Sequence, residues 1–154
     1  MTNLAPLFRR DLERLRRQIE AFPNDDTLWR ALPGVTNSAG NLALHLEGNL
    51  REYIGRQLGH LPYVRTRQAE FDTKGLTRAE IAGRIELLVH SIPAILDQLA
   101  PHHLAAAYPE VVLEHSMSNG EFLLHLYGHL NWHLGQIDYL RRIVTGATPA
   151  DRAT

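Results

Sequence analysis

Cysteine is absent from the 154-residue chain. That excludes disulfides, cysteine-ligated zinc, iron–sulfur clusters and a thiolate nucleophile of the protein's own. A long apolar run is also missing, since nothing reaches the about 18 consecutive apolar residues of a membrane span. Neither charge sign is in excess: 16 Lys+Arg against 17 Asp+Glu leaves a net charge of −1. No electrostatic footprint for nucleic acid or an anionic membrane follows from that balance, and neither is an expected partner. Met1-Thr2-Asn3-Leu4-Ala5-Pro6 leads into Arg9-Arg10-Asp11 without the apolar stretch and cleavage pattern of a signal peptide, so the expected compartment is the cytoplasm. A GxSxG elbow, a Gly-rich phosphate loop, GxGxxG and HExxH are all lacking. Aromatic residues are few, 7%, and do not interleave with basic ones in a base-stacking platform.

What is present is an ordinary globular composition, 44% apolar and 21% charged, with nine histidines against four Phe and two Trp. The length suits one domain with a core of useful size, assigned to 1–146, followed by a frayed tail at 147–154. Four segments carry the 3.6-residue apolar period and none alternates with period 2. Leu4, Leu7, Phe8, Leu12, Leu15, Ile19 and Phe22 form one stripe; Pro6 suits a first turn and Pro23-Asn24-Asp25 a stop. The charged residues between them, Asp11 and Glu13 among them, read as a solvated face. After Pro33-Gly34, Asn37 or Ser38 caps a second helix with Leu42, Leu46, Leu50, Tyr53, Ile54 and Leu58 on its apolar face and Gly59 at its end. Thr77-x-x-Glu80 is a capping box before Ile81, Ile85, Leu88, Val89, Ile92, Leu96 and Leu99. Pro93 inside that run predicts a kink or an early end. A second capping box, Ser118 to Glu121, opens a fourth helix through Phe122, Leu126, Leu130, Leu134, Ile137 and Val144 that closes near Thr145-Gly146. Having few charges before Arg141, it is expected to be the most buried. Two long connections remain, His60 to Gly75 and Ala100 to Met117, the second with a Val111-Val112-Leu113 run that predicts a strand or hairpin. The fold class is all-α, a four-helix bundle with long crossover loops.

The fourth helix contains His125-x3-His129-x3-His133. Residues four apart are neighbours on a helix, so His129 and His133 can aim both imidazoles at one point, a spacing that suits a divalent metal. His45 lies in the core-facing stripe of the second helix and can supply a third ligand if the two helices face each other. Each histidine alone reads as a satisfied core or boundary residue. Together they are costly to bury unless something satisfies their nitrogens. Three imidazoles leave coordination positions for water or substrate. Zinc and nickel both suit such donors.

The chain resembles the DinB-like superfamily of metal-binding four-helix proteins, which includes YfiT-like members. Three stretches carry the resemblance: Asn41-Leu-Ala-Leu-His45-Leu-Glu-Gly-Asn49-Leu; Pro62-Tyr-Val-Arg65-Thr-Arg67-Gln-Ala-Glu70-Phe71; and Phe122-Leu-Leu-His125-Leu-Tyr-Gly-His129-Leu-Asn-Trp-His133-Leu-Gly-Gln136-Ile. It implies one divalent metal ion on His45, His129 and His133. Leu134 departs from the basic residue that many relatives carry there. Some relatives are dimers and some transfer low-molecular-weight thiols, so the resemblance implies a homodimer and a small-molecule thiol or other small substrate. The expected function is therefore a metal-dependent thiol S-transferase or hydrolase, or alternatively a non-catalytic, metal-stabilised, stress-associated binding protein. A thiol from a small molecule is compatible with the missing cysteines.

Other polar residues have two readings. Asn49 and Gln136 either orient a ligand imidazole or a metal-bound water, or make a helix–helix hydrogen bond. His125, one turn before His129, sits behind the ligands or at the boundary, or else lines the pocket or replaces a ligand. Arg65, Arg67 and Glu70 form a loop ion-pair network or bind an anionic substrate. Glu47, two residues from His45, points to nearly the opposite face and is a poor ligand. Glu121 is accounted for by its cap.

Overall fold

The computed structural model describes residues 4–112 and 114–146. The tail assigned to 147–154 lies outside them, as does Leu113. Four long helices make the bundle: α1 (Ala5–Glu20), α3 (Ala39–Leu50), α5 (Arg78–Asp97) and α7 (Asn119–Thr145). Three short ones, α2 (Asp25–Leu28), α4 (Arg67–Asp72) and α6 (Pro101–Ala105), sit in the connections. No helix among the described residues is long and apolar enough to cross a membrane.

Local chemistry sets most boundaries. Ser38 accepts from the Asn41 backbone N–H, and Thr77 and Ser118 open α5 and α7 with reciprocal capping boxes to Glu80 and Glu121. Gly146 ends α7 in the left-handed conformation, φ 63°. Phe8, Leu12, Leu15 and Ile19 of α1 are fully buried, each contributing about 1.5–3 kcal/mol of apolar transfer. α1 packs mainly along α5, and α3 lies against α4, α7 and α5.

Three expectations are corrected. The helix does not end at Pro93 but runs on to Asp97; the buried Ile92, Pro93 and Leu96 offset the one backbone hydrogen bond that proline removes. Asp11 is not on a solvated face: it is 0% exposed, and its carboxylate accepts from Arg10 and from the Tyr127 hydroxyl at 2.7 Å, tying α1 to α7. Burial pushes this carboxyl up, but those hydrogen bonds outweigh it and hold it below the usual range. The most buried helix is α3, all twelve of whose residues are buried, rather than α7, which leaves one face open.

Past Leu50 the chain winds into a π-helical turn, Arg51–Arg56, where Gly59 N–H reaches Ile54 O at 2.9 Å and Gln57 N–H reaches Glu52 O at 3.2 Å. The first long connection is folded back on α3. The Asn41 side-chain amide donates to the carbonyls of Glu70, Phe71 and Thr73 at 3.1, 2.9 and 3.0 Å, which pins α4 in place. The strand expected near Val111 reduces to two isolated antiparallel bridges, Ala107 with Ser118 and Val112 with His115. Tyr108 in that segment is buried and donates to Tyr53 O at 2.8 Å, docking the loop on the π-helical turn.

Candidate metal centre

Two helices bring the three histidines together. His45 projects from buried α3; His129 and His133 stand one turn apart on α7. The Nε2 of His129 lies 3.2 Å from Nε2 of His45 and 3.2 Å from Nε2 of His133, and one ring nitrogen from each residue falls within 4.8 Å of the others. Around a tetrahedral zinc with Zn–N of about 2.0–2.1 Å, neighbouring nitrogens stand roughly 3.3–3.4 Å apart. Two edges of the histidine cluster are close to that size.

The outer nitrogens decide the tautomers. His45 Nδ1 faces Glu70 Oε2 at 2.8 Å. Glu70 also takes two hydrogen bonds from Arg65, Nε to Oε1 at 2.7 Å and Nη2 to Oε2 at 3.0 Å. Burial pushes the Glu70 carboxyl up, but the hydrogen bonds from His45 and Arg65 and the Arg65 charge bring it below the usual range. An ionised carboxylate only accepts, so His45 Nδ1 carries a hydrogen, and the tautomer that ligates has its Nε2 lone pair inward. His133 Nδ1 faces Gln136 Oε1 at 2.7 Å, another acceptor, with the same consequence. Two inward lone pairs thus face His129 Nε2, which has one hydrogen at most to give. With neutral rings the cluster cannot satisfy itself by hydrogen bonding, and a cation would resolve the deficit. Burial, with the neighbouring His133 and His45, lowers His129 to about 4, and burial also lowers His133. Both imidazoles are therefore neutral near pH 7, the form that ligates. The residues fit a divalent ion.

The remaining candidates divide. Gln136 accepts from His133 Nδ1. Glu70 does the same for His45, so its part is support for that ring rather than contact with substrate, and Arg65 is its clamp. Asn49 is buried and bonds none of the three imidazoles; among the described residues its Oδ1 has no hydrogen-bond partner, and neither has His129 Nδ1. His125 stands outside the cluster, stacked on Phe122 with its ring 6.5 Å from His129. Arg67 lies over the Phe71 ring at 5.6 Å. Glu47 faces away, paired with Arg51 and Arg84, in accord with its poor prospects as a ligand. Glu121 is occupied by its cap.

Sequence reasoning missed three contributors: Phe71, whose ring is 5.1 Å from His45; Asn41, which anchors α4; and Gly48. A Cβ at Gly48 would collide with the Glu70 carboxylate. A glycine in the middle of a buried helix is the signal that another group passes close.

A pocket of 350 Å³ opens beside the cluster, lined by His45, His129, Asn49, His125, Arg65 and Arg67 among others. A recess of 440 Å³ lies on the other side, against His133 and Gln136. A further cavity, of 570 Å³, sits between the ends of α5, α6 and α7, is mostly leucine-lined and has no histidine in its lining.

Among solved structures the chain is similar to a DinB-like protein from Bacillus cereus ATCC 10987, with a TM-score of 0.68 and 20% identity over 90% of this chain and 87% of that one. At that identity the likeness is one of fold, and the fold is DinB-like, as the three stretches of sequence imply. No family model matches the sequence, and no curated protein does.

Proposed function

We propose that the chain holds one divalent metal ion, zinc or nickel, on Nε2 of His45, His129 and His133, and that this centre serves a small-molecule reaction in the arginine-lined pocket. The observation that carries this reading is the pair of outer contacts, Glu70 and Gln136, that turn two lone pairs onto a third imidazole. Bound there, the ion would supply Lewis-acid chemistry at the positions that three protein ligands leave open, acidifying a thiol or a water. The chain's own part is to shape and charge the pocket. Arg67 makes no ion pair among the described residues, so its guanidinium is free to meet the carboxylate of a small anionic substrate. His125 lines the same wall. With no cysteine in the chain, a transferred thiol comes from a small molecule. The two reactions this supports are low-molecular-weight thiol S-transfer and hydrolysis.

Elemental mass spectrometry of untagged protein tests the metal. One zinc or nickel per chain is expected in the wild type, and His45→Ala, His129→Ala and His133→Ala should each lose it. A wild type that stays metal-free after reconstitution overturns the ligand assignment. On metal-loaded protein, Arg67→Ala should raise KM for an anionic thiol at least several-fold with metal content unchanged. Full metal loading without turnover of any thiol or ester substrate would instead favour the non-catalytic, metal-stabilised binding protein.

A further inference from the structure

The arginine-lined pocket has two ends of unlike charge. His45, Asn49 and Tyr53 follow at steps of four along α3 and its π-helical continuation, and all three line the pocket. The pocket therefore runs about 12 Å from the histidine cluster to the π-helical turn. At the histidine end stands Arg67, over the Phe71 ring, which is itself 5.1 Å from the His45 ring. Arg65 adds a guanidinium but no net charge, because Glu70 takes it with both oxygens.

The far end is negative. Glu110 lines the pocket there, tied to the π-helical turn. The Arg56 Nη2 that donates to Glu110 Oε1 at 3.0 Å also donates to Glu52. Two carboxylates thus share one guanidinium, and one negative charge is left over. Gln57 donates to Glu110 Oε1 as well, so no hydrogen bond among the described residues reaches Oε2. The rings of Tyr53 and Phe122 line the same end, 5.2 Å apart and at 81°. Asn49, in the middle of the wall, is 7% exposed, and its Oδ1 has no partner among the described residues. A carboxylate oxygen, two aromatic faces and an unmet amide oxygen all favour one kind of group, a cationic N–H donor. The π-helical turn supplies Tyr53 and Arg56 to this end, and such turns gather at functional sites.

We infer that the pocket selects a substrate bearing an ammonium group, which sits at Glu110 Oε2 against the Tyr53 and Phe122 rings while an anionic group of the same molecule meets Arg67. The inference rests on the reading of this pocket as the substrate site and names what that substrate carries. Its class is a primary amine whose carboxylate and reacting group lie at the opposite end, separated from the amine by about the length of the pocket. Glu110 sets the specificity: a neutral or purely anionic molecule of the same length leaves its charge unmatched. The hydrogen bonds of Glu110 go to Arg56 and Gln57 and to no histidine, so the ammonium subsite does not depend on a bound metal.

Titration calorimetry of the full chain with two synthetic thiols tests the inference. Aminohexanoyl-cysteine carries a thiol and a carboxylate at one end and an ammonium at the other; hexanoyl-cysteine is the same molecule without the amine. Metal-loaded wild type should bind the amine form about five- to ten-fold more tightly, although the amine-free tail is the more apolar of the two. The preference should persist in chelator-treated protein at lower overall affinity. Glu110→Gln should remove it while leaving the affinity for hexanoyl-cysteine unchanged, and Glu110→Lys should invert it. Glu110 is exposed and Arg56 keeps Glu52, so both variants should fold. Equal binding of the two thiols by wild type, or a preference that survives Glu110→Gln, would overturn the inference. Binding of neither thiol, with or without metal, would overturn it together with the reading of the pocket. A preference kept by a chain that takes up no metal would overturn the metal centre and leave the ammonium subsite standing.

Discussion

The histidine cluster has two sides, and they are built differently. On the α3 side, His45 is buried and backed by a carboxylate that is itself clamped by a guanidinium. On the α7 side, His133 is backed by a neutral, exposed amide, and His129 Nδ1 has no hydrogen-bond partner among the described residues. The α7 pair needs little support because the i, i+4 spacing of one rigid helix already sets the relative placement of its rings. His45 comes from a different helix and from a position 84 residues away in sequence, so its orientation has to be imposed by tertiary contacts. The charged network lies where local geometry supplies nothing.

The strongest way to break that asymmetry is Glu70→Ala. It leaves the Arg65 guanidinium buried without a counter-charge and removes the acceptor from His45. Breaking a buried pair from one side costs about 3–5 kcal/mol, and loss of an outer partner lowers metal affinity about 10–100-fold. Glu70→Gln keeps an acceptor for His45 with less disturbance and should retain the fold while still weakening metal binding. Unfolding by urea and metal competition with a fluorescent chelator read the two effects separately. A Glu70→Gln protein with wild-type affinity would show that the carboxylate's charge is irrelevant to His45.

Acid separates the sides by a different route. In metal-free protein His129 titrates near 4 and His133 also below its ordinary value, whereas both titrate near 6.5 once unfolded. The unfolded chain therefore binds more protons as the pH falls below 6.5. The stability these imidazoles contribute is full above that point and drains away toward 4, at up to about 1.4 kcal/mol per pH unit for each proton. Glu70, whose folded value lies below that of an ordinary carboxylate, holds its contribution to lower pH and loses it only as pH falls through that value. Between pH 6.5 and 5 the slope thus belongs to the α7 side. Urea unfolding in the presence of chelator should show it, and His129→Gln should flatten it. A flat wild-type profile would mean that the α7 imidazoles are not held neutral by burial.

The same contrast explains what was legible beforehand. The four long helices, three capping boxes or caps and the i, i+4 pair are local patterns, and each stands where the period and the cap residues put it. The recognition of His45 as the third member rested on family resemblance and on its place in an apolar stripe. What escaped is tertiary. Glu70 looks like a loop carboxylate until α4 is folded onto α3, and only then does Gly48 become the hole that admits it. Asp11 reads as solvated because pairing with the neighbouring Arg10 does not itself require burial; Tyr127, the partner that ties it to α7, is 116 residues away. Low charge along α7 predicts burial, but uncharged residues such as Leu124, Gly128, Trp132, Gly135, Tyr139 and Ile143 occupy its open face.

The smallest change comes from Gln136. Gln136→Ala removes one neutral hydrogen bond from an exposed residue, so stability should move by no more than about 1 kcal/mol. Metal affinity should fall only a few-fold, below the loss at Glu70, because the ring of His133 is still positioned by α7. The converse substitution sharpens the point. Gln136→Glu places a carboxylate behind His133 as Glu70 stands behind His45, which raises the basicity of the imidazole and its strength as a ligand. If charge behind the ring is what strengthens a ligand, Gln136→Glu tightens the metal beyond wild type. If rigid placement alone matters, Gln136→Glu and wild type bind equally. In that case the Glu70–Arg65 network acts on His45 by position, and its charge serves only to keep the clamp closed.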